Sequence, residues 1–298
     1  MQLKQALASG VESLVAGQVP SPRMNAELLL RFVLNCDRAY LFAHPERELT
    51  AQEESHYQSA LAERSRGVPA QYITGHQEFW GMNLIVTPAV LIPRPETEHV
   101  IENALQLLAL EGPNFSQEET SDTGTAAGVS PIRIVDVGTG SGAIALALAK
   151  ELPDAEIHAT DISAAALEIA RANAARHQLE RRIHFQQADL LANLNPPFDL
   201  VVSNPPYVGE SEEDQVQLEV RKFEPRTAVF AGATGTDVIA RLVPQARAAL
   251  QPGGWIVMEI SGTIVDAARN LLEGWERIQV TNDLQAIPRV IRARKPIT

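Results

Sequence analysis

The sequence predicts an α/β protein whose larger part is a seven-stranded, mostly parallel sheet with helices on its faces. Three observations support this prediction. Apolar, β-branched runs alternate with helical segments from residue 131 onward, which is typical of a parallel sheet built from βα units. The first run leads into alternating glycines within residues 138–142 and then into an alanine-rich helix. A later run ends in the proline-rich turn 204–207, so that polar groups gather where strands end.

The chain divides into three predicted segments. Residues 1–70 contain short amphipathic helical patterns and predict a small helical domain. Residues 71–92 are β-rich and predict a β-hairpin junction, and residues 93–298 are assigned to the domain that contains the sheet. Residues 112–130 form a polar insertion with almost no apolar content, which we expect to be a flexible linker.

Within the third segment the predicted elements follow one another in a regular order. The strands are predicted at residues 131–137, 155–161, 182–188, 198–203 and 254–260, with a terminal antiparallel pair at 275–281 and 290–294. The helices are predicted at residues 98–110, 143–150, 235–250 and 265–272. Because ligands of open parallel sheets lie beyond the carboxyl ends of the strands, motifs that follow successive strands should meet in one crevice.

The glycine turn predicts a binding site for a nucleoside-containing cofactor. Glycines let a ligand approach the backbone, and the N–H groups at the start of the next helix favour a carboxylate or phosphate. Asp161 ends the second strand about 20 residues later, the position from which a carboxylate accepts both ribose hydroxyls. The G-x-G-x-x-A spacing also fits a dinucleotide site, so the turn alone leaves NAD and S-adenosylmethionine open. The turn consists of Gly138, Thr139, Gly140, Ser141 and Gly142.

Two further acids refine the cofactor prediction. Asp136 precedes the first glycine by two residues. It can hold an ammonium group and would repel a pyrophosphate, which favours S-adenosylmethionine; alternatively it accepts from the amides of the turn. Asp189 and Leu190 follow the third strand, where they can meet the amino group and ring face of adenine; alternatively they are a loop acid and its apolar neighbour. The order of the motifs predicts that Asp189 faces the cofactor.

The turn Asn204-Pro205-Pro206-Tyr207 predicts recognition of a planar NH2 group. Proline holds the residue before it in extended backbone and has no amide donor, so this turn is a rigid array of acceptors. The Asn204 side-chain oxygen and the Pro205 carbonyl can both accept hydrogen bonds from one amide or exocyclic amine, beside the flat ring of Tyr207. Alternatively, the prolines only terminate a strand.

Two sets of motifs resemble known families. The spacing Asp136-x-Gly138-x-Gly140-x-Gly142, followed by residues 204–207, resembles the class I S-adenosylmethionine-dependent methyltransferases, whose fold is Rossmann-like. Residues 71–75, 78–81 and above all 90–98 are similar to the HemK (PrmC) family, the glutamine methyltransferases of peptide-chain release factors. The most specific stretch reads Ile92-Pro93-Arg94-Pro95-Glu96-Thr97-Glu98. This resemblance covers nearly the whole chain outside residues 112–130.

The resemblance implies methylation of the glutamine side-chain amide in the Gly-Gly-Gln motif of class I release factors, with S-adenosylmethionine as the methyl donor. It also places residues 93–96 over the cofactor pocket. The implied substrate residues are Asn204 and Pro205, which hold the amide, with Pro206 and Tyr207 beside them. The implied cofactor residues are 138–142 for the methionine moiety, Asp161 for the ribose, Asp189 and Leu190 for the adenine, and Asn204 where cofactor and substrate meet.

The chain departs from the family pattern in two places. Family members often have a glycine before the late Pro-Arg pair, whereas this chain has Ala286-Ile287-Pro288-Arg289, so we expect a less tight turn. The insertion at 112–130 is longer than the usual connection. Neither departure falls on a predicted catalytic position.

Charge and composition narrow the substrates and partners. Residues 1–70 contain no cofactor motif and have a nearly balanced charge, so we expect this helical domain to recognise the protein substrate. A formal net charge of −12 does not suit binding to a phosphate backbone, so we expect no direct nucleic acid partner. It disfavours an adenine-amino DNA or RNA methyltransferase, whose flipped base presents a similar NH2 group. The intact turn 204–207 disfavours a non-catalytic nucleotide-binding module. A ribosomal-protein glutamine methyltransferase, with the same chemistry, stays open.

The sequence predicts a cytoplasmic enzyme with no membrane partner. No run approaches the roughly 20 apolar residues of a membrane span, and the first residues lack the apolar centre of a signal peptide. The single cysteine, Cys36, has no partner for an internal disulfide, and the absence of a Cys/His cluster leads us to expect no metal.

Overall fold

The computed structural model describes residues 1–111 and 131–297 and divides into two compact units. The insertion at 112–130, predicted to be flexible, lies outside the described residues. The first unit comprises Met1–His76 together with Gln217–Phe223, and the second comprises Gln77–Val216 together with Glu224–Thr298. Among the described helices, none is long and apolar enough to cross a membrane.

The first unit is built from helices around its own apolar core, which confirms the predicted helical domain. Tyr57 is fully buried there and donates a hydrogen bond of 3.2 Å from its hydroxyl to the Ala26 carbonyl. Thr50 and Glu53 form a capping box at the start of the fourth helix, each side chain accepting from the other residue's amide. The helices of Met1–His76 are α1 (Leu3–Ala16), α2 (Pro22–Leu34), α3 (Arg38–Ala43), α4 (Ala51–Ser65) and α5 (Ala70–Thr74).

The hairpin lies within the segment in which it was predicted but is shorter than that segment. Its strands are β1 (His76–Phe79) and β2 (Met82–Ile85). Trp80 and Gly81 connect them with positive φ angles of 52° and 66°, as in the type I′ turns that join tight hairpins. The β-rich interpretation of residues 71–92 is wrong at its start, because Ala70–Thr74 is helical. Pro69 precedes this short helix and Gly75 ends it in the left-handed region.

The second unit contains the predicted seven-stranded sheet. Its strand order is β5-β4-β3-β6-β7-β9-β8, with β9 antiparallel to both of its neighbours and the other pairs parallel. This confirms the α/β fold and the terminal antiparallel pair. The strands are β3 (Arg133–Val137), β4 (Glu156–Asp161), β5 (Ile183–Gln187), β6 (Phe198–Ser203), β7 (Leu250–Glu259), β8 (Glu276–Asn282) and β9 (Pro288–Arg294).

Helices cover both faces of the sheet because successive strand residues point to opposite sides. Ile134 and Leu200 belong to one apolar cluster, whereas Val135 and Val201 belong to the other. The central strand β6 is buried at every position, as expected for a strand with helices on both faces. The remaining helices are α6 (Glu98–Glu111), α7 (Ala143–Glu151), α8 (Ala164–Arg176), α9 (Leu218–Phe223), α10 (Arg226–Val229), α11 (Asp237–Ala249) and α12 (Val265–Leu271).

The helix α9 belongs to the first unit, although its residues lie within the segment 93–298 of the sequence. Arg64 on α4 is 5% exposed and forms an ion pair of 2.9 Å with Glu219 on α9. The same guanidinium donates a hydrogen bond of 2.8 Å to Asn25 Oδ1. The first unit thus includes a segment, Gln217–Phe223, that is distant in sequence from Met1–His76.

Candidate functional site

A cavity of about 350 Å³ lies in the second unit and is lined by residues that follow successive strands. This volume is within the roughly 300–1,000 Å³ of small-molecule sites. The carboxyl ends of β3, β4, β5 and β6 all contribute to it, as predicted for an open parallel sheet. Among the predicted residues, those in the lining are Gly138, Thr139, Gly140, Ser141, Asp161, Asp189, Leu190, Asn204 and Pro206.

The glycine turn leaves open space above two of its three glycines. Gly138 and Gly140 have positive φ angles of 74° and 56°, and a Cβ built on either would meet no atom within 4 Å. The amides of Gly138 and Thr139 both donate to the Thr160 carbonyl at 2.8 Å, which fixes the turn on the adjacent strand. Both glycines line the cavity. The absence of a side chain therefore keeps room for a ligand at these two positions.

Gly142 has a different role and lies outside the cavity lining. A Cβ there would lie 2.4 Å from Leu146 Cδ1 and 3.3 Å from the Ala170 Cβ. Its φ of +85° also disfavours any larger residue. The third glycine thus allows α7 and α8 to pack closely, while its assignment as a cofactor residue stays a prediction.

Asp136 is fully buried and is also absent from the cavity lining. Its Oδ2 accepts from the Thr139 hydroxyl at 2.6 Å and from the Ala145 amide at 3.1 Å, while Oδ1 has no partner among the described residues. Burial raises the pKa of Asp136 to about 7, although these two hydrogen bonds oppose the increase. The carboxyl therefore acts as an acceptor for the turn, and an additional contact with an ammonium group stays a prediction.

Asp161 connects the glycine turn to the end of β4. Its Oδ2 accepts from the Gly140 amide and its Oδ1 from the Ser163 amide, both at 2.9 Å. Burial raises the pKa of Asp161, and these backbone hydrogen bonds oppose the increase. The side chain lines the cavity, as expected for a residue that would hold a ribose.

Asp189 and Leu190 both line the cavity beyond the end of β5. Leu190 has a positive φ of 55°, and its carbonyl accepts from the Thr160 hydroxyl at 2.9 Å. Asp189 forms an ion pair of 2.5 Å with Arg241 on α11. Arg241 also lines the cavity, and the sequence analysis missed it because no local pattern connects a helix residue to an acid 52 positions away.

In the turn that follows β6, two residues line the cavity and two do not. Asn204 and Pro206 line the cavity, whereas Pro205 and Tyr207 are outside its lining. Asn204 Nδ2 donates to Thr97 Oγ1 at 3.0 Å, and the Tyr207 hydroxyl donates to Glu259 Oε1 at 2.9 Å. Burial raises the pKa of Tyr207 well above its usual value, and the adjacent Glu259 charge acts in the same direction. Tyr207 is therefore a neutral hydrogen-bond donor at physiological pH.

Glu259 connects this turn to the segment 93–97. Burial raises its pKa, while the nearby Thr97 hydroxyl, the hydrogen bond from Tyr207 and the positive charge of Arg289 oppose the increase. Thr97 and Glu259 were not among the functional residues predicted from the sequence. An acid at the carboxyl end of a strand was a usable signal for Glu259, and the 90–98 motif already contained Thr97.

Residues 91–97 border the cavity and are also held by Glu224. Leu91, Pro93 and Thr97 line the cavity. The buried carboxylate of Glu224 accepts from the Ile92 amide at 3.1 Å and pairs with the Arg94 guanidinium. Burial of this carboxylate is compensated by two donors, one of them charged, so the segment is fixed along the cavity.

Two family descriptions match the chain. "PrmC N-terminal domain" matches residues 5–75, and "Methyltransferase small domain" matches residues 115–222. Relatives named release factor glutamine methyltransferase match over nearly the full length. The protein from Koribacter versatilis is 52% identical over 298 residues, 99% of each chain, and the one from Xylella fastidiosa strain 9a5c is 40% identical over 97% of this chain and 99% of its own. One from Chlorobaculum tepidum is 40% identical over 91% of this chain and 90% of its own.

Solved structures support the fold. The catalytic domain of hMettl16 in complex with the MAT2A 3′UTR hairpin 1 has a TM-score of 0.56 at 14% identity, covering 80% of this chain and 81% of that one. The 16S rRNA N2 G1207 methyltransferase RsmC of T. thermophilus, in complex with AdoMet and guanosine, has a TM-score of 0.51 at 20% identity, covering 74% of this chain and 49% of that one. The sheet carries a cavity at its carboxyl edge, and relatives named release factor glutamine methyltransferase match the chain over nearly its full length. The chain therefore belongs to the release factor glutamine methyltransferase family.

Proposed function

We propose that this chain transfers a methyl group from S-adenosylmethionine to the side-chain amide nitrogen of the glutamine in the Gly-Gly-Gln motif of class I peptide-chain release factors, in the cytoplasm. The observation that supports it best is the state of Asn204. Its side chain lines the cavity and makes one hydrogen bond within the described residues, through Nδ2. The oxygen Oδ1 is thus left to accept from the NH2 group of a ligand.

The cavity lining fits the proposed cofactor. Open space above Gly138 and Gly140 admits a ligand against the backbone. Asp161 offers a carboxylate to a diol, and Leu190 and Ile162 offer apolar surface to a flat ring. The unpartnered Oδ1 of Asp136, buried near the glycine turn, suits a cationic amine directly or through water. Asp161 would hold the ribose, Leu190 and Ile162 the adenine ring, and Asp136 with the glycine turn the methionine moiety.

The chain's contribution to the reaction is orientation and polarisation of the target amide. When bound, S-adenosylmethionine supplies an electrophilic methyl group on a sulfonium centre. An amide nitrogen is a poor nucleophile because its lone pair is delocalised into the carbonyl. In the proposed complex, Asn204 Oδ1 and the Pro205 carbonyl accept hydrogen bonds from the two N–H groups of the target amide. These hydrogen bonds raise the electron density on nitrogen and favour rotation of its lone pair out of conjugation.

The rigidity of the 204–207 turn makes this arrangement effective. The two prolines restrict the backbone, and Tyr207 is anchored to Glu259 through its hydroxyl. Preorganised acceptors need no reorganisation during the reaction. No base is required before transfer, because the nitrogen loses its proton readily once it has become cationic.

We also propose that the first unit recognises the protein substrate, as residues 1–70 do in our sequence prediction. On α2, three apolar side chains at helical spacing face solvent: Met24 is 67% exposed, Leu28 36% and Phe32 46%. Exposed apolar surface of this kind suits a protein partner better than nucleic acid.

Methylation assays with labelled S-adenosylmethionine test this function. Intact release factor, ribosomal proteins and duplex DNA are incubated separately with the enzyme, and the modified residue is identified by mass spectrometry. We expect label on the release-factor glutamine. A release factor with that glutamine replaced by alanine is the matched control. Label on a ribosomal protein or on adenine, with none on release factor, would overturn the proposal in favour of that substrate.

A further inference from the structure

The orientation of Asn204 depends on a residue far away in sequence. Asn204 Nδ2 donates to Thr97 Oγ1 at 3.0 Å across 107 positions of the chain. Thr97 ends the short 3-10 helix Pro95–Thr97 and is only 4% exposed. Because the Thr97 hydroxyl is buried, breaking this hydrogen bond would cost free energy. Thr97 therefore restricts which end of the Asn204 carboxamide faces it.

Glu259 determines the direction of that hydrogen bond. It is 1% exposed, its Oε1 accepts from the Tyr207 hydroxyl at 2.9 Å, its Oε2 has no hydrogen-bond partner among the described residues, and the nearby Thr97 hydroxyl lowers its pKa. A carboxylate has no proton to donate, and a threonine hydroxyl has only one. The unpartnered Glu259 Oε2 is an acceptor available to the Thr97 proton, and the Thr97 oxygen accepts from Asn204. The nitrogen end of Asn204 thus faces Thr97, and the oxygen end remains for a ligand.

We propose that Thr97 and Glu259 are positioning residues that hold the Asn204 oxygen toward the target NH2 group, with Glu259 fixing Tyr207 at the same time. The proposal rests on the proposed function for the identity of the target, whereas the orientation is a property of the protein without ligand. If Asn204 were reversed, its NH2 group would face the NH2 group of the glutamine, and two donors would oppose each other. One acceptor for the target amide would be lost.

Steady-state kinetics on intact release factor test this role with three threonine variants. Thr97→Val removes the acceptor at nearly constant size, and Thr97→Ser restores a hydroxyl. Thr281→Val is the matched control, because the Thr281 hydroxyl donates to Asn103 Oδ1 at the same 3.0 Å and neither residue lines the cavity. We expect T97V to lose about 10- to 100-fold in kcat, as for misplaced reacting groups, and T97S to recover most of it. T281V should keep wild-type kcat, and calorimetry should give all variants wild-type affinity for S-adenosylmethionine.

Glu259→Gln tests the direction of the hydrogen bonds separately from their presence. A glutamine carboxamide can donate as well as accept, so Thr97 no longer has to give its proton to residue 259. Asn204 can then adopt either orientation. We expect a decrease in kcat of about tenfold with a smaller change in KM for release factor.

Nuclear magnetic resonance decides the orientation without any reaction. The Asn204 side-chain amide resonances, assigned by their loss in Asn204→Asp, should show slow hydrogen exchange in wild type and T97S and fast exchange in T97V. If wild type does not methylate release factor, the proposed function fails, while this measurement still decides the orientation. Equal kcat for T97V and T97S, or Asn204 resonances that T97V leaves unchanged, would overturn the inference.

Discussion

The Thr139 hydroxyl donates a 2.6 Å hydrogen bond to Asp136 Oδ2, so the glycine turn is attached to a fully buried carboxyl group. Burial raises the pKa of that carboxyl to about 7, and its Oδ1 has no partner among the described residues. A buried charge with an unsatisfied oxygen destabilises a fold unless a cation compensates it. The glycine turn is thus built on a group that a bound ammonium would stabilise.

Asp136→Asn should change the pH dependence of stability. The folded pKa of Asp136 lies above its unfolded value, so the unliganded wild type loses stability as the pH rises from about 4 to about 7. Asparagine does not titrate, and its side-chain oxygen can replace Oδ2. The free energy of unfolding of the variant, minus that of wild type, should therefore increase across this window in urea titrations. A constant difference would show that Asp136 titrates normally in the folded protein.

Gly140→Ala and Gly142→Ala should separate binding from packing. Both alanines adopt an unfavourable positive φ, but only at Gly142 would the new Cβ meet Leu146 and Ala170. We expect G142A to lose more unfolding free energy, by about 1–3 kcal/mol. We expect G140A to lose more affinity for S-adenosylmethionine. Thermal unfolding and calorimetry measure the two quantities, and the reverse ranking would contradict our distinction between these glycines.

Asp161→Ala should weaken cofactor binding by about 1.5–3 kcal/mol, the range for hydrogen bonds to a charged group. The loss includes the contact with Gly140 N, because the same carboxylate also holds the turn. Calorimetry measures the affinity, and Asp154→Ala, which removes an exposed acid, is the control. Unchanged affinity in D161A would remove Asp161 from the cofactor site.

Asn204→Ala should lose about a hundredfold or more in kcat while it still binds S-adenosylmethionine. The substitution removes an acceptor for the target amide and leaves the glycine turn intact. Single-turnover methylation of release factor measures the chemical step, and calorimetry measures the affinity for the cofactor. An equal decrease in both would show that Asn204 acts mainly on the cofactor.

Met24→Glu with Phe32→Glu should raise KM for intact release factor about tenfold or more and leave KM for a short Gly-Gly-Gln peptide unchanged. Both side chains are exposed on α2, so the charges do not disturb the core of the first unit. A peptide lacks the remote surface whose binding energy positions the amide. Leu110→Glu, at a 72% exposed apolar position on α6, is the matched control. Wild-type KM for release factor in the double variant would exclude this face from recognition.

The sequence by itself determined the features that local patterns encode. Alternation of apolar strands with helices predicted the sheet, and the strand-glycine-helix pattern placed the turn at its carboxyl edge. The positions of Asp161, Asp189 and Asn204 after successive strands predicted that they would meet, and all three line one cavity. These inferences succeed because φ restrictions, side-chain periodicity and the direction of parallel strands act over a few residues.

Only the tertiary structure decided which atoms face one another. The pairing of Thr97 with Asn204 spans 107 positions, and α9 joins the first unit through Arg64 and Glu219. Burial separates Asp136 from the cavity lining, and the neighbour Ala170 makes Gly142 a packing residue. Hydrogen-bond partners, burial and close packing depend on segments that are distant in sequence. No local pattern contains them, since the free energy that selects them arises when the elements pack together.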